Sequence, residues 1–126
     1  MNRKILSINT NKSISYLLNT VLADRYDLIT VSDVYAAMQK LKDNESISLI
    51  IADTDNGGTD IWDFIEHISS SCLYKKPVII LSSDRTNETE SKAKKSKVVE
   101  MFWKPFSPPE MVRKVDSIMT SDVINN

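Results

Sequence analysis

Five short apolar runs, at 5–8, 28–31, 49–52, 78–81 and 98–103, recur along the chain with amphipathic segments between them. Most are continuous rather than alternating, which is what strands need when both faces of a parallel sheet are covered. The intervening segments carry apolar residues at the helical period. Ile14, Leu17, Leu18, Val21 and Leu22 fall at i, i+3, i+4, i+7 and i+8; Val34, Ala37, Met38 and Leu41 repeat the pattern, as do Ile61, Phe64, Ile65 and Ile68. Each stripe must bury itself against a sheet. Strand–helix alternation repeated five times with short connections predicts a doubly wound α/β sandwich, (βα)5, with five parallel strands in the order 2-1-3-4-5.

The last helix has the clearest start. Ser107-Pro108-Pro109-Glu110 puts a hydroxyl at the N-cap, proline at the first helical position and glutamate three residues after the cap. Met111, Val115, Ile118 and Met119 supply its buried face, and 121–126 reads as a frayed end. Segment 86–97 differs from the other helices. It offers Glu88/Lys92 and Glu90/Lys94 as i,i+4 pairs, but Ala93 is nearly its only apolar residue. Such pairs give about 0.2–0.5 kcal/mol each, which does not replace a buried stripe. This helix is expected to be the loosest element. A length of 126 residues suits one domain, 1–126, with a core over about 3–119 and a tail at 120–126.

Composition removes several function classes. Hydrophobic residues at 41% and charged residues at 26% describe a folded globular chain. Sixteen basic against seventeen acidic residues leave a net charge of −1, without the positive field that direct nucleic-acid binding needs. No apolar run approaches a membrane span, and the start does not read as a signal peptide. Cys72, the only cysteine, cannot form an internal disulfide and fits a reducing cytoplasm. In that setting the glycosylation patterns at Asn11, Asn44 and Asn87 read as coincidence. Gly57 and Gly58 are the only glycines, so no glycine-rich loop exists to cradle a nucleotide, which argues against a nucleotide-binding or enzymatic domain. Asp53, Asp55 and Gly57 hint at a calcium loop, but the glycine is one position early and the twelfth residue is Phe64 instead of glutamate. His67 falls on the polar side of the third helix.

Ligands of such sheets bind beyond the carboxyl ends of the strands, where the winding direction switches. Those ends carry Asn9 and Thr10, then Asp53, then Ser82 and Ser83, then Lys104. A carboxylate, a hydroxyl and an ammonium from separate strands form a coherent chemical set. Asp53 can act as a nucleophile toward phosphorus, Lys104 can neutralise charge on the transferring oxygens, and Ser82 can hydrogen-bond one of them.

Leu49-Ile50-Ile51-Ala52-Asp53, then Gly58-Thr59-Asp60, resembles the phosphoacceptor strand and following loop of response-regulator receivers. Pro77 to Ser83 is similar to that family's fourth strand with its terminal hydroxyl. Lys104-Pro105-Phe106 resembles its lysine–proline–phenylalanine turn. The likeness runs from about residue 3 to residue 119. It implies a flavodoxin-like receiver in a two-component phosphorelay, with Asp53 as phosphoacceptor, Ser82 and Lys104 beside it, and a cis Lys104–Pro105 bond. The implied donor is a histidine kinase or phosphotransfer protein, and a downstream protein reads the face made by the fourth helix, fifth strand and fifth helix. The resemblance implies a switch and not an enzyme, at most gaining a phosphoryl group from a donor and releasing it. It places the chain in the cytoplasm, away from membranes.

Four positions depart from the family pattern. Asn9 and Thr10 stand where receivers carry the acidic pair that holds Mg²⁺, Gly57 replaces a proline, and Lys97 replaces a glycine. Met101 stands at the aromatic switch position with Phe102 and Trp103 beside it, making Ser82, Met101 and Phe102 the switch candidates. A Mg²⁺ site would be left with Asp53, the backbone carbonyl of Asp55, waters and the neutral Asn9 and Thr10, with the Asp55 side chain expected in solvent. At ~4 Å and an effective dielectric of about 20, a missing carboxylate facing a dication forfeits roughly 8 kcal/mol before desolvation is counted. The site is therefore expected to hold Mg²⁺ weakly or not at all. The alternative function is a phosphorylation-independent pseudo-receiver, an interaction module.

Overall fold

Strands and helices alternate as the periodicities predict: β1 (Lys4–Ile8), α1 (Lys12–Leu22), β2 (Asp27–Val31), α2 (Val34–Asp43), β3 (Ile47–Asp53), α3 (Gly58–Ser70), β4 (Val78–Ser82), α4 (Asn87–Lys95), β5 (Glu100–Trp103) and α5 (Pro108–Ile124). The computed structural model describes residues 3–43, 46–55, 58–71 and 75–124. All strand pairs are parallel, and the order is β2-β1-β3-β4-β5, as expected.

The continuous apolar runs have a direct structural reason. Successive residues of one strand point to opposite faces, and here both faces are covered. Leu6, Ile8, Ile50, Ala52 and Ile80 face the layer of α2 and α3, meeting residues such as Leu41 and Phe64. Ile5, Leu49, Ile51, Ile79 and Leu81 face α1 and α5, meeting Leu18, Leu22, Met111 and Val115. Each fully buried Leu or Ile contributes about 1.5–3 kcal/mol through its removal from water.

Helix starts are fixed by short polar side chains. The Asn11 side-chain oxygen accepts from the backbone N–H groups of Ser13 and Ile14, and Asp33 accepts from Ala36. Such caps satisfy backbone donors that a first turn leaves unpaired. At the far end of the sheet, the Tyr26 hydroxyl donates to Asp116 of α5, and the Arg25 guanidinium pairs with the same carboxylate. Burial, then this hydrogen bond, pushes the Tyr26 phenol up to about 12. Burial pushes the Asp116 carboxyl up, but bonds from Tyr26 and Arg25 outweigh it and hold the group below its ordinary value.

Two boundaries differ from expectation. α5 continues to Ile124 where the pattern suggested a frayed end from 121. Residues 98 and 99 precede β5 and do not belong to it: α4 ends at its C-cap Ser96, and Lys97 turns the chain with φ 58. The side chain of His67 is exposed, as its place on α3 predicts. Gly57, Cys72 and Asn44 lie outside the described residues.

Candidate functional site

The ladder register lines up the strand ends. Ile8 sits opposite Ala52, Asp53 opposite Leu81, and Ser82 opposite Trp103. The next residue on each strand therefore emerges at one rim. Two backbone bonds extend the ladder past the strands: the Thr54 N–H donates to the Leu81 carbonyl at 3.0 Å, and the Lys104 N–H to the Ser82 carbonyl at 2.9 Å. The Lys104–Pro105 bond is cis.

Here side chains at the ends of β3 and β5 meet. Lys104 Nζ lies 2.6 Å from Asp53 Oδ2 and 2.9 Å from Asp55 Oδ2. The Asp53 side chain is 4% exposed and that of Lys104 15%. The other oxygen of Asp53, Oδ1, accepts from the Asp55 N–H at 2.9 Å. Burial alone would lower the Lys104 pKa, but its bonds to Asp53 and Asp55 outweigh that and raise it above 10.5.

Asp55 corrects the sequence expectation. Its side chain is not left in solvent. Besides Lys104, it accepts from the Ser83 N–H at 3.1 Å and from the Ser83 hydroxyl at 2.9 Å. Burial pushes its carboxyl up, but the bonds from Lys104 and Ser83 outweigh that and leave it below 3.8. The reason is local: the Asp55 N–H bonded to Asp53 turns the chain sharply after β3, which swings the next carboxylate back over the rim. The sequence places Ser83 beside Ser82 at the end of β4 but gives the chemical role to Ser82 alone; it is Ser83 that meets Asp55.

The remaining candidates are placed as follows. Ser82 is fully buried and its Oγ accepts from the Asp84 N–H at 3.0 Å, starting a polar turn into α4. Asn9 is buried at the end of β1, and its amide is committed to two hydroxyls, donating to Ser7 Oγ and accepting from Ser15 Oγ. Thr10 is exposed and borders the same cleft as Asp53 and Asp55. Met101 and Phe102 part company. Met101 packs in the layer of α2, α3 and α4, whereas Phe102 lies in the opposite layer with its ring 5.9 Å from Phe106. Trp103, which shares the Met101 face, carries the Arg85 guanidinium 5.6 Å from its ring centroid.

Mg²⁺ asks for six oxygens in an octahedron, one or two from carboxylates. Asn9 and Thr10 are neutral, the Asn9 amide oxygen already accepts from Ser15, and the two carboxylates of the rim, Asp53 and Asp55, are both paired with Lys104. Among the described residues no group of three or more His, Cys, Asp or Glu is placed to hold a metal ion. These donors do not fit a resident divalent cation. The site carries its own cation, Lys104.

A doubly wound parallel sheet in this strand order is the flavodoxin-like fold that response-regulator receiver domains share. Solved structures agree. The signal receiver domain of an HD domain-containing protein from Pseudomonas fluorescens superposes with a TM-score of 0.85 at 20% identity, over 96% of this chain and 97% of that one. The chemotaxis protein CheY4 of Vibrio cholerae gives 0.81 at 21% identity, over 94% and 99%. The receiver domain of Francisella response regulator 1452 gives 0.82 at 22%, over 96% and 99%. At these identities the likeness speaks for the fold alone. No protein-family model and no curated protein matches the sequence. No helix among the described residues is long and apolar enough to cross a membrane.

Proposed function

We propose that this chain is a cytoplasmic receiver-type signalling domain of a two-component phosphorelay. Asp53 takes a phosphoryl group from a histidine kinase or phosphotransfer protein, and a downstream protein reads the face of α4, β5 and α5. The observation that carries this reading is the pairing of Asp53 with Lys104 at 2.6 Å, made by residues 51 positions apart.

The chemistry needs little else. One Asp53 oxygen forms an O–P bond as the donor's P–N bond breaks. The imidazole leaves with the bonding pair and takes a proton from solvent, and an acyl phosphate remains. Lys104 loses a monoanionic partner and gains a dianionic one, so its ammonium is the group that registers the transfer. Positioning and charge stabilisation supply most of the catalysis of phosphoryl transfer. With Lys104 as the only cation touching Asp53 among the described contacts, loading is slow. The groove between α4 and β5, bordered by Ala93, Met101 and Trp103, is the surface through which output would pass.

The neutral Asn9 and Thr10 favour a second reading, in which the domain signals by protein contact without phosphate. Incubation with phosphoramidate followed by intact-protein mass spectrometry separates the two. The first reading predicts slow addition of one phosphoryl group, abolished by Asp53→Asn. No addition at Asp53 at any donor concentration would leave only the second.

A further inference from the structure

We propose that Asp55 is a built-in anion: its carboxylate fills an oxyanion cradle made by Lys104 Nζ, the Ser83 N–H and the Ser83 hydroxyl, and keeps free tetrahedral oxyanions out of it. Its consequence for phosphoryl loading rests on Asp53 being the acceptor position.

Three donors of three kinds converge on this one carboxylate from two other strand ends, 28 and 49 residues away in sequence. Their reach is 2.9 Å from the ammonium, 3.1 Å from the backbone N–H and 2.9 Å from the hydroxyl. Hydrogen bonds to an ionised carboxylate are roughly twice as strong as neutral ones. A backbone N–H, a hydroxyl and an ammonium aimed at one point is the donor set that stabilises negative oxygen in acyl and phosphoryl transfer. Lys104 is shared with Asp53, so the cradle lies beside the acceptor carboxylate.

The occupant is part of the chain. The Asp55 N–H bonded to Asp53 Oδ1 fixes its backbone, so little freedom is lost when the side chain enters the cradle. An intramolecular ligand acts at an effective concentration of millimolar or higher. A phosphate ion from solution must displace it and also face its charge. The same carboxylate stands between Lys104 and an incoming phosphoryl group. Asp55 therefore sets both the anion affinity of the site and the slowness with which Asp53 is loaded.

The test uses the whole chain with inorganic phosphate as probe, followed through the Ser83 amide in ¹H–¹⁵N spectra. In Asp55→Ala, phosphate shifts the Ser83 amide with at least tenfold higher affinity than in wild type. Asp55→Asn, which keeps the size but not the charge, shows a smaller gain and serves if the alanine variant does not fold. Asp60→Asn removes a charge bordering the same cleft without touching the donors, and behaves as wild type. Equal responses in wild type and both Asp55 variants, or a gain in Asp60→Asn matching that of Asp55→Ala, overturn the proposal. Phosphoramidate loading of the same proteins keeps the two ideas apart. Tighter phosphate binding with no loading of Asp53 upholds the cradle and removes the acceptor reading. Loading at equal rates, with no gain in phosphate binding, removes the cradle and leaves the acceptor.

Discussion

Lys97 holds φ 58 immediately after the C-cap of α4, a position where helices commonly end on glycine. A side chain in that region costs about 1 kcal/mol that glycine avoids. Lys97→Gly should therefore raise stability by about 1 kcal/mol, seen as a higher urea midpoint at unchanged slope; a lower midpoint would contradict the assignment. The sequence marked this residue, because the receiver pattern has glycine there. It does not show where the Asp55 carboxylate goes. Strand ends can be counted from apolar runs, so spacing alone places Asp53 and Lys104. The direction of a side chain two residues past a strand depends on a turn that no period encodes, so the sequence pattern leaves this carboxylate in solvent. Phe102 illustrates the same limit in a milder form: alternation along β5 separates it from Met101, and only the register tells which layer each enters.

Among the elements, α4 stands apart, as its composition foretold. It buries Thr89 and Ala93, where α3 buries Ile61, Phe64, Ile65 and Ile68. Polar bonds anchor its first turn instead. Thr86 Oγ accepts from the Thr89 N–H, and the Thr89 hydroxyl donates to Asp84. Its surface is tied more loosely by Lys92, which reaches Glu88 at 3.5 Å and the Trp62 ring at 5.8 Å. An exposed pair and a cation–π contact of this kind are each worth about 1 kcal/mol or less. Amide hydrogen exchange should accordingly find α4 the least protected helix, since local opening follows sparse apolar burial. Thr86→Ala removes its cap, costs about 1 kcal/mol and speeds exchange in α4 alone. Protection of α4 equal to that of α3 would count against a mobile output face. Because α4 starts from the turn after Ser82, lower protection there would place the movable element next to the rim that holds Asp53.

At the scale of the molecule, the fold is most legible in the sequence where it repeats a simple rule. Alternating runs and stripes specified the elements and their order, and the order brought three strand ends to one rim. What the pattern left open is how the charges settle once they meet: two carboxylates share one ammonium. That arrangement has a pH signature. Asp55 is held below 3.8 in the folded chain, so its contribution to stability is present above that value and is lost as pH falls through the lower folded value. Lys104 is held above 10.5, so its contribution is present below that value and is lost as pH rises through the raised one. The most direct measurement is a pH titration of the Asp55 carboxyl carbon by ¹³C NMR in wild type and Lys104→Met. The structure predicts a midpoint below the ordinary carboxylate range in wild type that moves up when the ammonium is removed. A midpoint at the ordinary value, the same in both proteins, would mean that the lysine does not reach the aspartates.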